Sequence, residues 1–444
     1  MVNATYLGEG NKLANQSRDP ACGDKLEETQ EDYGGTFAWD RKTQAIILSA
    51  EAWGAAVLTL PAGILLDKYG VRWIYLVAYA ATCLSTVLIP VASYRSPYYV
   101  VVLRVVQGLS MLVSWPACIY VATKWFPSKE LGRMLAPTAA GFQVGSLFTM
   151  EVSGVMCSTV GWESIYYMAT EIVFVGLILW IIFYRDSVED AWFISKAEAS
   201  YIVAERTYAT NEHKEPIPFL SILSSPPVWA ILCSNMAMWY VSYFFSDFMS
   251  TYFKEALLLS TTTNGIMSGL PFLMQMLGRV GTGFVSDWFE AKTGNPTYTV
   301  KLFGALSGFI PSALIMLLIM FNCTTATSAV ATLCAAYFAL GLFVAGYPRS
   351  ACKIAPQFAG TISCAGAASA YVAAIILPCV TAALTPYGTP QEWHHALLVT
   401  GAVGVAGTLI FVIFGSGDLQ PWAKRPRIQV IATKTVTESY DLKF

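Results

Sequence analysis

Charged residues are scarce in this chain, and their scarcity limits the class of protein it can be. Only 13% of its 444 residues are Asp, Glu, Lys or Arg, whereas 55% are hydrophobic. A soluble protein could not cover so much apolar surface with so few charged groups. The composition therefore indicates a protein embedded in a lipid bilayer. The net charge of −2 says little about partners, and we expect no nucleic acid among them.

Groups that carry enzyme and metal chemistry are also few. The 3 His residues lie outside the centres of the apolar stretches, and the 10 Cys residues include no C-x-x-C pair. The chain has no H-E-x-x-H, G-x-S-x-G or G-x-x-x-x-G-K-[ST] sequence. A metalloprotease, a serine hydrolase and a phosphate-loop enzyme are therefore not indicated. We expect no enzyme, no metal site and no cofactor.

Long apolar stretches, in contrast, are abundant. About eleven of them are long enough to cross the hydrocarbon core, which takes about 20 helical residues. They predict an all-α integral membrane protein with eleven spans. The predicted spans are 45–66, 73–93, 98–123, 134–158, 163–184, 228–252, 265–286, 301–321, 328–347, 358–384 and 394–414.

The distribution of basic residues predicts the orientation of the chain. Of the 27 Lys and Arg residues, about two thirds fall in one set of alternating loops, which the positive-inside rule assigns to the cytosol. The linker 185–227 and the tail 415–444 then lie in the cytosol, and the segment 1–44 lies outside it. Three N-x-S/T sequons fall on the extracytosolic side and predict glycosylation; they begin at Asn3, Asn15 and Asn322.

The cysteines offer one possible covalent link. Cys22 and Cys323 are the two cysteines in predicted extracytosolic loops. A disulfide between them is possible, and no spacing pattern supports it further. The other cysteines fall mostly within spans, where they are expected to be small buried apolar side chains.

A charged loop motif occurs twice and divides the chain. It reads Gly63-Ile-Leu-Leu-Asp67-Lys68-Tyr-Gly70-Val-Arg72 and returns, reduced, as Gly283-Phe-Val-Ser-Asp287. A gate element repeated once per half indicates two similar bundles that rock against each other. We predict an N-terminal bundle at 45–184 with five spans and a C-terminal bundle at 228–414 with six. The predicted gating residues are Gly63, Asp67, Lys68, Gly70, Arg72, Gly283 and Asp287.

The repeat also bears on the odd number of spans. Suppose that the span that ends at Asp67 matches the one that ends at Asp287. The span 228–252, which precedes the latter in the second half, should then match a span before residue 45 in the first half. Residues 1–44 contain no apolar core. We therefore expect this sequence to lack the first helix of a twelve-helix protein. The alternative is a protein that truly has eleven spans.

The loop motif, together with Arg104-x-x-Gln107-Gly108 two spans later, resembles the major facilitator superfamily. Within it, the chain resembles the sialin, vesicular glutamate and sodium–phosphate transporters, solute carrier family 17. The most specific match is the segment 416–423, Ser-Gly-Asp-Leu-Gln-Pro-Trp-Ala. The resemblance implies two pseudo-symmetric helix bundles, a small anionic substrate, a plasma or endolysosomal/vesicle membrane, and a monomer.

The sequence departs from the family pattern at several positions. Met111 stands where members often carry a Glu, and Leu48 where the vesicular glutamate members have a His. Val71 occupies a position that is usually basic in the loop motif. Proton coupling through a carboxylate at position 111 is therefore not expected, and glutamate is not a favoured substrate.

Ionisable residues inside spans are the candidates for chemistry, because each costs several kcal/mol to place in the membrane. Arg104 is the predicted anion ligand, since its guanidinium stays charged and can bind a carboxylate or phosphate with two parallel hydrogen bonds. Gln107 shares its helix face. All the acids in spans are expected in the outer half of the membrane, around one cavity. The candidates for coupling to Na⁺ or H⁺ are Glu51, Glu151, Glu171 and Asp247.

Two functions follow from these patterns. The first is a secondary active transporter of a small organic anion or phosphate that works by alternating access and is coupled to an ion or to the membrane potential. The second is a carrier-like protein without transport activity, either a truncated product or a receptor. The absence of a first helix and the presence of Met111 keep the second hypothesis open.

Overall fold

The structure, a computed structural model, describes residues 36–126, 131–189, 191–202, 218–355 and 358–423. Its long segments are helical, and the predicted all-α fold is confirmed. We number the helices α1 Arg41–Tyr69, α2 Val71–Ser93, α3 Pro97–Trp125, α4 Leu131–Thr159, α5 Glu163–Phe183, α6 Pro226–Glu255, α7 Thr261–Thr293, α8 Pro296–Leu317, α9 Ala326–Gly341, α10 Tyr347–Ile354, α11 Ala359–Leu384 and α12 Pro390–Phe414.

Each of the eleven predicted spans overlaps a helix or the pair α9–α10, although the helix ends differ from the predicted ends by up to seven residues. Among the described residues, 7 helical segments are long and apolar enough to cross a membrane. One of them is Cys323–Ile354, which joins α9 and α10 into one span. Helix α5 shows why these helices belong in lipid, because large apolar side chains such as Phe174 and Leu179 are exposed along it.

Local signals in the sequence set several helix ends. Asp40 precedes α1, and its Oδ1 accepts a hydrogen bond from the Thr43 N–H at 3.1 Å. The hydrogen bonds from Thr43 hold the pKa of the Asp40 carboxyl below its usual value. Gly70 separates α1 from α2 with a φ of 77°, a conformation that glycine adopts without strain. Such a turn reverses the chain between the two helices within one residue.

The helices form two bundles that meet along two seams. In the first bundle α1 packs on α3, and α2 packs on α3 and α5; in the second, α12 packs on α6 and α8, and α7 packs on α9. Helix α1 crosses to α11, and α4 crosses to α7. At the second seam a methyl group on Gly265 would lie 2.8 Å from the Gly154 Cα. The two bundles therefore touch backbone to backbone there.

The span at 326–354 is broken, which the sequence did not predict. A 3₁₀ segment, Leu342–Ala345, separates α9 from α10. The predicted end of this span at residue 347 is wrong, because α10 continues it to Ile354. Gly341 lies against α7, where a methyl group would stand 2.7 Å from the Gln275 carbonyl oxygen. Irregular backbone at membrane depth is tolerated where protein or a cavity surrounds it.

Cys323 lies at the start of this span and is buried beside Leu258. It is disulfide-bonded, whereas the other cysteines among the described residues form no disulfide. Cys22, its partner in the sequence prediction, lies outside the described residues.

Candidate functional site: an ion cluster between the bundles

Two glycines bring α1 and α3 into direct contact. A methyl group on Gly54 would lie 2.0 Å from the Val105 carbonyl oxygen, and one on Gly108 would lie 2.2 Å from the Glu51 carbonyl oxygen. Any larger residue would push the two helices apart. The crossing therefore fixes the distance between Glu51 on α1 and Arg104 on α3.

Arg104 and Glu51 form an ion pair within the membrane-spanning part of the protein. Arg104 Nη1 lies 3.4 Å from Glu51 Oε2, and the two side chains are 27% and 38% exposed. Arg104 also interacts with the Tyr166 hydroxyl of α5. Its Nε is buried and has no hydrogen-bond partner among the described residues. The two side chains are thus partly exposed, and the guanidinium still has donor capacity.

Asp247 of α6 reaches the same cluster from the other bundle. It interacts electrostatically with both Glu51 and Arg104. The Asp247 side chain is exposed, and the charged groups with which it interacts belong to the other bundle. It therefore faces the open space between the bundles. Tyr243, one turn earlier on α6, interacts with Asp247 and with Tyr371 of α11. The cluster therefore contains two carboxylates, one guanidinium and several tyrosine hydroxyls.

Three further candidates from the sequence lie elsewhere. Gln107 is buried, and its Nε2 donates to the Thr86 hydroxyl at 2.8 Å, so it binds α2 within its own bundle. Glu151 packs across the seam, where a methyl group on Gly269 would lie 3.2 Å from its Cγ. Glu171 is exposed on α5, and no contact joins it to Arg104 in the part of the chain that the structure describes.

The predicted gating residues of the first half lie in α1 and at the α1–α2 turn. The Arg72 N–H donates to Asp186 Oδ1 at 3.2 Å, and its guanidinium lies 5.7 Å from the centre of the Trp73 ring. Asp186, at the start of the linker, thus accepts from the N-terminus of α2, which favours negative charge. The positions Gly63, Asp67 and Lys68 lie in α1, and their side chains are outside the described ones.

Of the two predicted gating residues in the second half, Asp287 links α7 to α10. Arg349 Nη1 lies 2.8 Å from Asp287 Oδ1, and its Nη2 lies 2.8 Å from Glu290 Oε2. Lys353 also binds Glu290. Gly283 is exposed on α7, one turn before Asp287. The partners of Asp287 lie in its own bundle, and pairing across the seam stays a prediction.

An ion pair at the opposite end of the molecule joins the two bundles. Arg41 Nη2 at the start of α1 lies 2.5 Å from Glu255 Oε1 at the end of α6, and the side chains are only 12% and 21% exposed. The Trp393 indole N–H of α12 donates to Glu255 Oε2 at 3.0 Å. We call Arg41, Glu255 and Trp393 the outer clasp, because this end is the predicted extracytosolic one.

The predicted glycosylation sites fall partly outside the described residues. Asn3 and Asn15 lie in the segment before residue 36. Asn322 precedes the 3₁₀ turn Cys323–Thr325, and its Oδ1 accepts from the Thr324 N–H at 3.2 Å. Its modification stays a prediction.

Sequence reasoning missed the tyrosines of the cluster and the outer clasp. Tyr166 and Tyr243 carry no charge, so a search for ionisable residues in spans passes over them. Arg41 and Glu255 stand at helix ends, where charged residues are common. Only their proximity across the bundles distinguishes them.

A chain with two helix bundles and an ionic cluster between them has the architecture of a membrane transporter. A solved structure of a D-xylose-proton symporter matches this fold with a TM-score of 0.64 and 14% identity, covering 93% of this chain and 96% of that one. The family model of the Major Facilitator Superfamily matches residues 28–378.

The chain belongs to the Major Facilitator Superfamily and, within it, to the solute carrier family 17 of sialin and the vesicular glutamate transporters. It is 27% identical to human sialin over 423 residues, which is 95% of this chain and 85% of sialin. It is also 27% identical to vesicular glutamate transporter 1 of Xenopus tropicalis over 429 residues, 96% of this chain and 71% of that protein. It is therefore a multi-pass membrane protein, as the sequence predicted.

Proposed function

We propose that this protein is a secondary active transporter of a small organic anion or phosphate that works by alternating access. The observation that carries the proposal is Arg104, a permanent cation in a solvent-accessible position between two bundles. An anion bound there would be held by charge-assisted hydrogen bonds. The similarity to sialin and the vesicular glutamate transporters supports an anionic substrate.

The charges of the cluster support coupling to a cation. Arg104 is paired with Glu51, and Asp247 lies close to both. An anion that binds Arg104 displaces Glu51 and leaves two carboxylates without a cation. Each H⁺ or Na⁺ that then binds to a carboxylate removes repulsion from the bound anion. Anion binding and cation binding therefore favour each other, which is the condition for symport.

The test is uptake of radiolabelled inorganic phosphate, monocarboxylates and dicarboxylates into proteoliposomes, under imposed sodium, proton and potential gradients. We expect one class of anion to accumulate under one gradient. Arg104→Ala should abolish the uptake, because no other group of the cluster supplies a positive charge.

The matched control is Arg95→Ala, which removes an exposed arginine at the end of the neighbouring helix. It should transport like the wild type. No uptake of any anion by well-folded protein, or equal uptake by Arg104→Ala, would contradict the proposed function.

A further inference from the structure

A second arginine lies inside the membrane-spanning part of the protein, and the cluster described above does not include it. Arg279 is on α7, and its Nε is buried without a hydrogen-bond partner among the described residues. It forms no ion pair with any carboxylate in the described part of the chain. An arginine in this environment carries a desolvation cost that an anionic partner would offset.

The surroundings of Arg279 hold its guanidinium in place without neutralising it. The guanidinium carbon lies 4.9 Å from the centre of the Phe343 ring, within the range of a cation–π contact. Phe343 belongs to the 3₁₀ segment that interrupts the span between α9 and α10. Gly278 and Gly341 allow this approach, because a methyl group on either would lie less than 3 Å from the facing backbone.

Arg279 faces a cavity between the two bundles. The cavity is lined by both Arg279 and Tyr347, and the Tyr347 hydroxyl is buried without a hydrogen-bond partner among the described residues. Gln275 and Ser246 add polar groups, and Phe142 of α4 closes it from the other bundle. These groups can donate several hydrogen bonds, and the residues that line the cavity include no acid among those described.

The cavity shares Tyr243 with the Arg104 cluster but lies at a different depth. Tyr243 lines this cavity and also interacts with Asp247 and Glu51. At 1.5 Å per residue, Arg104 lies about 10 Å from the start of α3, whereas Arg279 lies about 27 Å from the start of α7. Both helices start at the predicted extracytosolic end. Arg279 is therefore nearer the cytosol.

We propose that Arg279, Tyr347 and Gln275 form a second binding station for the transported anion, on the cytosolic side of the Arg104 site. This inference rests on the proposed function. A carboxylate or phosphate that leaves Arg104, where Glu51 takes its place, passes Tyr243 and is held by the unpaired guanidinium of Arg279 before release. The two stations bind the same substrate at different depths in the membrane.

The experiment uses the full chain in proteoliposomes of determined orientation and measures the anion KM separately at each face. With inorganic phosphate, or the organic anion found in the uptake panel, Arg279→Gln should raise the KM at the cytosolic face at least tenfold. The KM at the extracytosolic face should stay within twofold of the wild type. Tyr347→Phe, which keeps the ring and removes the hydroxyl, should raise the cytosolic KM by a smaller factor.

The control variant is Lys292→Gln, which removes the other basic group that α7 places near an aromatic ring, 5.1 Å from the centre of the Trp288 ring. It should leave both KM values unchanged. Arg279→Lys keeps the charge and should show a smaller increase in the cytosolic KM than Arg279→Gln. If Arg279 is purely structural, the variants should instead have the KM of the wild type and a lower thermal stability.

A second readout separates this inference from the proposed function. In purified protein, the anion should raise the melting temperature of the wild type and raise it less in Arg279→Gln. Wild-type transport with an unchanged cytosolic KM in Arg279→Gln and Tyr347→Phe overturns the second station alone. Absence of transport by the wild type overturns the proposed function and the station with it.

Discussion

At the scale of single residues, the chemistry rests on a balance of charges around Arg104. Glu51 is its partner, and Asp247 approaches from the facing bundle. The two acids outnumber the one arginine, so an anion is held best when a cation neutralises a carboxylate. Under the proposed function, the acids determine coupling and the arginine determines binding.

Glu51→Gln tests this division of roles. The amide keeps the shape of the side chain but cannot bind a coupling cation. We expect gradient-driven accumulation to fall at least tenfold, while exchange of labelled for unlabelled anion persists, because Arg104 is left intact. The measurement compares both activities in proteoliposomes. Loss of exchange and accumulation by the same factor would show that Glu51 is needed for binding as such.

Asp247→Asn makes the same test from the other bundle. If Asp247 binds the coupling cation, the variant should transport by exchange and show a weaker dependence on the driving cation. Glu171→Gln is its control, because Glu171 is exposed on α5. An unchanged cation dependence in Asp247→Asn would assign coupling to Glu51 alone.

At the scale of helices, the α1–α3 crossing positions the cluster. Gly54→Ala would place a methyl group 2.0 Å from the Val105 carbonyl oxygen, so the helices must move apart. We expect a loss of about 1–3 kcal/mol in stability, as for overpacking in a dense core, and a weaker Arg104–Glu51 pair. Thermal denaturation of the purified protein measures the first effect and anion uptake the second.

Gly141→Ala is the matched control for this prediction. Gly141 also lies in a helix, but a methyl group there would meet no atom within 4 Å. The melting temperature should remain that of the wild type. A similar decrease in both variants would mean that helix contact at Gly54 is not what stabilises the protein.

At the scale of the whole molecule, the outer clasp connects the bundles at one end, while Arg349 binds Asp287 within one bundle at the other. Alternating access requires the contacts between bundles to form and break in turn. The outer clasp has the position expected of a contact that closes the extracytosolic side.

Arg41→Ala and Glu255→Gln should each increase opening on that side. The reporter is a cysteine introduced by Tyr243→Cys, in a background from which the native cysteines that form no disulfide are removed. We expect a membrane-impermeant maleimide to label this cysteine faster in either variant. The double variant should label no faster than the single ones, because the same interaction is lost once. Lys42→Ala, which removes the exposed neighbouring charge, should have no effect. Additive increases would show that the two residues act separately.

The sequence by itself determined the membrane class, the positions of the long apolar helices and the ionisable residues within them. It could do so because hydropathy and helical length are local properties, read along a stretch such as 394–414 without knowledge of its neighbours.

Only the tertiary structure decided which of these groups meet. Asp247 joins Arg104 whereas Glu171 does not, because the rotation of each helix and the crossing of the bundles depend on packing between distant segments. The same packing breaks the span at Leu342–Ala345 and places Phe343 beside Arg279. A pattern of apolar residues specifies that a helix crosses the membrane. Which of its side chains face the cavity depends on how the helix packs against all of its neighbours.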